Sequence, residues 1–206
     1  MKKLLLYLLI GTCLVSCRED EVVVPTEYEI IPEEVKPGQK IIGMYLLNEG
    51  NMGSNKSTLD YVDFSQGYYV RNLYAERNPH VIKELGDVGN DIQIYGSRIY
   101  AVINCSNKIE VLDARTAHRI GQVNIPNVRY VRFHKGYAYA TSYVGPVQLN
   151  NPDAVQGAVY KIDTLSLKPV AKCTVGFQPD ELCVLGQYIY CLLYTSPSPR
   201  DSTSSR

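Results

Sequence analysis

Apolar and polar residues alternate along this chain in short runs, and the alternation recurs as a unit. The first copy runs from Asp91 to Val123; the second runs from Val128 to Tyr143 and resumes from Gly157 to Val175. Each copy holds four alternating runs broken by turn residues, a pattern typical of antiparallel β-strands. The pattern predicts strands near 91–95, 98–104, 108–113 and 118–123, and again near 128–134, 137–143, 157–163 and 168–175.

Partial units flank these two copies. Earlier strands are predicted at Lys40–Asn48, Thr58–Phe64 and Tyr68–Tyr74. A polar loop, Ala75–Asn90, follows them, and no run like DIQIY precedes Lys40. The first unit therefore has three predicted strands and lacks an inner one. A further copy starts at Pro179–Gly186, and its next strand begins at Gln187–Tyr190.

An aspartate closes the third strand of each unit. These residues are Asp63, Asp113 and Asp163, spaced 50 residues apart both times. An aspartate at such a position accepts backbone N–H bonds in a tight turn, and we favour that role. A catalytic role is the alternative, but a position that recurs in every unit serves the repeat.

Repeats of about 40–50 residues with four strands each predict a β-propeller. A single four-stranded unit cannot bury both faces of its sheet, whereas neighbours in a ring cover both. The predicted fold is all-β, with four-stranded antiparallel blades in an open arc of about three and a half blades. A β-sandwich is the rival, although its strands need not repeat in fours.

The N-terminal residues predict export. Residues 1–16 carry a basic pair and then a short apolar run, as in a signal peptide. Leu14–Cys17 resembles the bacterial lipobox, which implies cleavage before Cys17 and lipidation of it; an ordinary signal with an incidental cysteine is the alternative. The following acidic run, Glu19–Glu21, resembles an export tag for the outer leaflet. Residues 17–39 are expected to be a Pro-bearing tether.

The C-terminal residues 191–206 look foreign to the protein. CLLYTSPSPRD, from Cys191 to Asp201, resembles a translated transposase adapter from sequencing libraries. A native Ser/Pro-rich linker is the alternative. We expect this tail to join no core, and we expect the propeller to occupy residues 40–190. Three cysteines then remain in it, with no spacing typical of a metal site or disulfide framework: Cys105, Cys173 and Cys183.

The composition of the chain gives no support to a nucleic-acid-binding function. The chain has 21 basic and 21 acidic residues, so its net charge of zero gives no electrostatic footprint for nucleic acid. Seventeen tyrosines suit half-buried strands with one end in water.

Longer stretches resemble a known family. The units Ser97–Val123 and Gly136–Val175 resemble YncE-like, YVTN-type β-propeller repeats. Leu46–Phe64, Glu84–Gly121 and Gly176–Tyr190 resemble surface-lipoprotein propellers of Bacteroidetes. The resemblance implies a complete ring of about seven blades. Some members of this family capture cobalamin at the cell surface and pass it to an outer-membrane transporter, but no motif here separates them from the rest.

Propeller topology predicts where a ligand would bind. Loops between second and third strands, and loops between blades, share one face, which we call the loop face; the longest insertion, in Tyr143–Gln156, lies there. The candidate ligand-binding residues are Asn48, Glu49, Asn51, Arg77, His80, Asn104, Arg129, Tyr143 and Asp180. The asparagines are also common turn formers. Arg129 could instead pair structurally with Asp180 or Glu181.

No catalytic motif is present in the sequence. It lacks G-x-S-x-G, H-E-x-x-H and a P-loop, and its three histidines are scattered, so we predict no catalytic residues, no metal and no cofactor.

The leading hypothesis is a non-enzymatic binding or scaffold lipoprotein, exposed at the surface of the outer membrane. Its expected partners are a small molecule, a glycan or an outer-membrane transporter, with membrane contact through the lipid only and no nucleic acid. A propeller lyase or hydrolase with catalytic residues in further C-terminal blades is one alternative, and a structural surface-layer component is another.

Overall fold

A computed structural model describes residues 26–30, 41–81, 84–146 and 155–194. Within these ranges the chain forms fourteen strands and one helix of five residues. The first seven strands are β1 (Tyr28–Ile30), β2 (Gly43–Asn48), β3 (Thr58–Asp63), β4 (Tyr68–Val70), β5 (Gly89–Tyr95), β6 (Arg98–Ile103) and β7 (Lys108–Asp113). The others are β8 (Arg119–Asn124), β9 (Val128–His134), β10 (Tyr137–Ser142), β11 (Ala158–Asp163), β12 (Lys168–Thr174), β13 (Leu182–Leu185) and β14 (Tyr188–Cys191). The helix, α1, is Leu73–Arg77.

The strands form three four-stranded antiparallel sheets and one hairpin. Blade two has the order β5-β6-β7-β8 and blade three has β9-β10-β11-β12, both in chain order. Blade one has the order β2-β3-β4-β1, and β13 pairs with β14 as the start of a fourth blade. Strand β5 packs beside β9, and β9 beside β13. The fold is therefore the predicted all-β propeller, and its described sheets do not close into a ring.

Strand β6 shows why the blades need each other. Successive side chains of a strand point to opposite faces of the sheet. Ile99 and Ile103 pack toward blade one, whereas Tyr100 and Val102 pack toward blade three, and all four are buried. Fully burying one such side chain stabilises the fold by about 1.5–3 kcal/mol. Both faces of blade two are thus interior, which explains its nearly continuous apolar runs.

The repeated aspartates close turns, as predicted. Asp113 Oδ1 accepts hydrogen bonds from the backbone N–H groups of Arg115 and Thr116, both at 2.9 Å. Asp63 and Asp163 accept the equivalent bonds, at 2.6–3.1 Å. These N–H donors stabilise the charged carboxylate, which lowers the pKa of Asp113 and of Asp163.

Part of the segment predicted as a tether is a strand. Tyr28–Ile30 pairs with β4 at the outer edge of blade one, and Arg71 forms ion pairs with Glu27 at 2.8 Å and Glu29 at 2.5 Å. The unpaired edge of β4 offers backbone hydrogen bonds that a short extended segment can take up. The innermost position of blade one is occupied by no described strand, so β2 lies at the inner edge.

The predicted third strand of blade one is shorter than expected. Strand β4 ends at Val70, and α1 follows where a strand to Tyr74 and then a loop were predicted. Leu73 and Tyr74 are 5% and 2% exposed. Burial of these two side chains next to blade two favours one helical turn over a longer strand.

The first four residues of the C-terminal tail, 191–194, extend the last hairpin, although we expected the tail to join no core. Cys191 pairs with Leu182 in β13, and the Leu192 carbonyl accepts a hydrogen bond from the Asp180 N–H at 2.8 Å. Unpaired backbone groups of the preceding strand explain this pairing. Residues 195–206, the predicted signal 1–16 and the predicted lipidation residue Cys17 lie outside the described residues, and the adapter origin stays a prediction.

Candidate functional site

Three of the predicted site residues meet on the loop face. Arg129 Nε lies 3.1 Å from Asp180 Oδ1, and the Arg129 guanidinium carbon lies 5.0 Å from the centre of the Tyr143 ring. The pair of Arg129 with Asp180, 51 positions further along the chain, is the structural pairing that the sequence offered as the alternative to a ligand contact. We call Arg129, Tyr143 and Asp180 the arginine cluster.

Each member of the arginine cluster comes from a different element. Arg129 is the second residue of β9, and Tyr143 follows β10, where its N–H donates to the Asn127 carbonyl at 3.1 Å. Asp180 precedes β13. A Cβ on Gly157 would lie 2.1 Å from Pro179 Cδ, so only glycine there lets the segment before Asp180 approach blade three.

The arginine cluster is partly open to solvent. The side chains of Arg129 and Asp180 are 21% and 41% exposed. Burial raises the pKa of Tyr143, and the Arg129 charge opposes that shift. Tyr143 therefore keeps its phenol proton at neutral pH. The cluster offers a planar cation, a carboxylate and an aromatic hydroxyl, a set that can hold planar or polar ligands.

Asn104 and Asn48 have structural partners. Asn104 is 6% exposed, and its amide nitrogen donates to Asn127 Oδ1 at 2.7 Å and to the Val128 carbonyl at 2.8 Å. Asn48 Nδ2 donates to Thr58 Oγ1 at 2.9 Å and to Asp60 Oδ2 at 2.7 Å. These bonds occupy both amide protons, in keeping with the turn-forming interpretation.

The loop after β2 carries Glu49 and Asn51 on the surface. Both side chains are exposed, and their carbonyls accept from Gly89 N and Ser54 N at 3.0 Å. Sequence reasoning missed the residue that holds this loop. The Asp87 carboxylate accepts a hydrogen bond from the N–H of Gly53 at 2.9 Å. In the sequence, the acidic residue in the GDVG turn could have indicated this contact.

Arg77 and His80 lie apart from the arginine cluster. Arg77 is exposed, at the end of α1, and its Nε lies 3.7 Å from Glu76 Oε1. His80 lines a different cavity of about 610 Å³ between blades one and two. The buried Glu110 lies in the wall of that cavity. Glu110 could have been identified from the sequence, because it is a lone glutamate within the apolar run KIEVLD.

A second ion network near the arginine cluster was also missed. Arg132 contacts Asp91 Oδ2 at 2.8 Å and Glu181 Oε1 at 2.5 Å. Asp91 belongs to blade two, Arg132 to blade three, and Glu181 precedes β13. The network therefore links three consecutive blades next to the candidate site.

The described residues contain neither a candidate membrane span nor a candidate metal site. No helix among them is long and apolar enough to span a membrane. No group of three or more His, Cys, Asp or Glu residues among them is arranged to hold a metal ion.

Comparison with known proteins gives only distant likeness. No family model matches the chain, and no curated protein matches it. Among solved structures, hydrazine synthase of Kuenenia stuttgartiensis is 18% identical, with a TM-score of 0.46 over 67% of this chain and 36% of that one. A europium-containing methanol dehydrogenase is 14% identical, with a TM-score of 0.45 over 65% of this chain and 23% of that one. The chain therefore spans about a third or less of these proteins.

Proposed function

We propose that this chain is a non-enzymatic binding module of a surface lipoprotein. It captures a small molecule or a glycan on its loop face, or docks there on an outer-membrane transporter. The lipobox-like sequence ending at Cys17 supports the surface location, and the missing catalytic motifs support binding without chemistry.

The observation that carries the proposal is the arginine cluster. Arg129, Tyr143 and Asp180 come from three elements and meet on one face, with partial exposure of the two charged side chains. An arginine fixed by a carboxylate and a tyrosine ring keeps its remaining N–H groups in a defined orientation. Preorganised groups of this kind bind polar ligands with a low ordering cost.

Binding measurements on the purified chain test the proposal. Isothermal titration calorimetry measures the binding of cobalamin and of a panel of glycans. In a separate experiment, membrane extracts are screened for a transporter that co-purifies with the chain. Tyr143→Ala and Asp180→Asn are expected to weaken the observed binding at least tenfold. Binding of no ligand and of no membrane partner would count decisively against the proposal.

Matched controls separate the site from general damage. Tyr137 also has a cation on its ring, with Lys161 Nζ 3.8 Å from the ring centre, but it starts β10 at the opposite end of the blade. Glu181 is an acidic neighbour that pairs with a different arginine. Tyr137→Ala and Glu181→Gln should leave binding unchanged; equal loss in these controls would assign the effect to the scaffold.

A further inference from the structure

A polar cavity separate from the arginine cluster lies between blades one and two. Its volume of about 610 Å³ falls in the range of roughly 300–1,000 Å³ typical of small-molecule sites. Tyr74 and His80 line it from blade one and the loop after α1, and Lys108, Glu110 and Arg119 line it from blade two. The two blades thus border an open depression whose wall carries fixed charges.

Glu110 organises this wall. It is 0% exposed, and its two carboxylate oxygens are taken by different cations: Lys108 Nζ at 2.7 Å and Arg119 Nε. A buried carboxylate is tolerated when such partners compensate its desolvation. Because its side chain has no exposed surface, Glu110 acts by holding Lys108 and Arg119 in place, not by contacting a ligand.

The series of side-chain hydrogen bonds continues from Arg119 toward the solvent. Arg119 Nη2 donates to Gln122 Oε1 at 2.9 Å, and Gln122 Nε2 donates to Asn124 Oδ1 at 2.7 Å. Arg119 carries five N–H groups and Lys108 carries three, so both keep N–H groups beyond the bonds described. The wall therefore presents several donors whose positions are set before any ligand arrives.

Among the lining residues that the structure describes, the formal charges balance. Lys108 and Arg119 supply two positive charges, and Glu84 and Glu110 supply two negative ones, with histidine counted as neutral. A balanced wall does not attract a ligand of high net charge, since one sign of charge is not in excess. A wall with many fixed polar groups instead suits a neutral ligand that carries hydroxyl groups, because each hydroxyl both donates and accepts a hydrogen bond.

We propose that this cavity binds a neutral polyhydroxylated ligand, a saccharide of one or two sugar units. Its hydroxyls accept hydrogen bonds from the N–H groups of Lys108 and Arg119, while the exposed His80 and Gln122 line the cavity where they can contact the ligand. The inference concerns a site distinct from the arginine cluster and stands without it.

Titration of the 206-residue chain with neutral mono- and disaccharides tests this site. The panel contains glucose, galactose, mannose, N-acetylglucosamine and their disaccharides, with glucuronic acid as a charged counterpart. Calorimetry is expected to find a neutral sugar that binds, with at least tenfold weaker binding in His80→Ala and Gln122→Ala. Failure of every neutral sugar, or tighter binding of the acid, would overturn the proposal.

Exposed residues serve as matched controls, because a Glu110 substitution could simply unfold the protein. His118 and Gln66 are exposed and do not line the cavity. His118→Ala and Gln66→Ala should bind sugar like the parent chain, and thermal melting confirms folding of every variant. Loss of sugar binding in Tyr143→Ala but not in His80→Ala or Gln122→Ala would reject this cavity while supporting the arginine cluster. The reverse pattern would support this cavity alone.

Discussion

The Asp91 carboxylate of blade two accepts a hydrogen bond from the Arg132 guanidinium of blade three at 2.8 Å. The same oxygen accepts the Val131 N–H at 2.9 Å, and the Asp91 side chain is only 9% exposed. One acidic residue therefore satisfies two donors of the neighbouring blade. The innermost strands β5 and β9 are joined by side-chain bonds as well as by apolar packing.

Replacing Asp91 should loosen the contact between blades two and three. Asp91→Ala leaves the Val131 N–H and one Arg132 N–H without their acceptor, and we expect a loss of about 2–3 kcal/mol in the free energy of unfolding. Urea denaturation measures this change. Glu181→Gln is the control, because Glu181 is 55% exposed and its pair with Arg132 contributes less than about 1 kcal/mol. Equal effects of the two substitutions would contradict the bridging role.

The turn aspartates should make the fold sensitive to acid. In the unfolded chain an aspartate has a pKa of about 3.9, whereas backbone donors lower the folded pKa of Asp113 and Asp163. A lowered folded pKa contributes stability above pH 4 that is lost as pH falls through the folded value. The double variant Asp113→Asn/Asp163→Asn keeps an oxygen acceptor but cannot titrate.

Thermal melting between pH 6 and pH 2.5 measures that dependence. The double variant is expected to lose less stability than the parent chain as the pH falls below about 4. Asp180→Asn serves as a control outside the turns. A double variant that follows the parent curve would show that these carboxylates do not carry the acid response.

Tyr45 should make the fold sensitive to alkali. Burial raises its pKa to about 12, and its hydroxyl donates to the Ala114 carbonyl of blade two at 3.1 Å. A raised folded pKa contributes stability that is present below the unfolded value of about 10 and is lost as pH rises toward the folded one. Tyr45→Phe should cost about 1 kcal/mol at neutral pH and flatten the decline above pH 10. The exposed Tyr188 supplies the comparison, since Tyr188→Phe should keep the stability of the parent chain at neutral pH. A Tyr45→Phe curve as steep as the parent's would refute the assignment.

The sequence predicted those features that depend on local pattern. Alternation over six or seven residues located the strands of blades two and three, and one aspartate per unit marked the turns. Tyr28–Ile30 escaped because three residues are too few to show a period, and their strand depends on the free edge of β4. The α1 turn, LYAER, is likewise shorter than the helical pattern that a sequence can reveal.

The candidate sites show the same difference between what the sequence pattern predicts and what packing determines. Tyr143 and Asp180 could be assigned to one face because propeller topology fixes which loops share it, whereas Arg129 was assigned to an inner strand. Which polar residues meet within that face depends on the packing of neighbouring blades, so the ion network of Arg132 was missed. Glu110 was passed over because strand alternation does not distinguish a solvated glutamate from one buried between two cations.

Asn104 should matter for stability and not for ligand capture. It joins blade two to the start of blade three by donating to Asn127 Oδ1 and to the Val128 carbonyl. Asn104→Ala leaves the buried Val128 carbonyl without this donor, and we expect the free energy of unfolding to fall by about 1–3 kcal/mol. Urea denaturation gives the stability, and calorimetry with any ligand found for the loop face gives the affinity. Asn48→Ala is the matched control, since Asn48 is exposed and its described side-chain bonds, to Thr58 and Asp60, lie within blade one. If Asn104→Ala kept full stability but weakened ligand binding tenfold, Asn104 would belong to the binding site itself and the interblade role would be wrong.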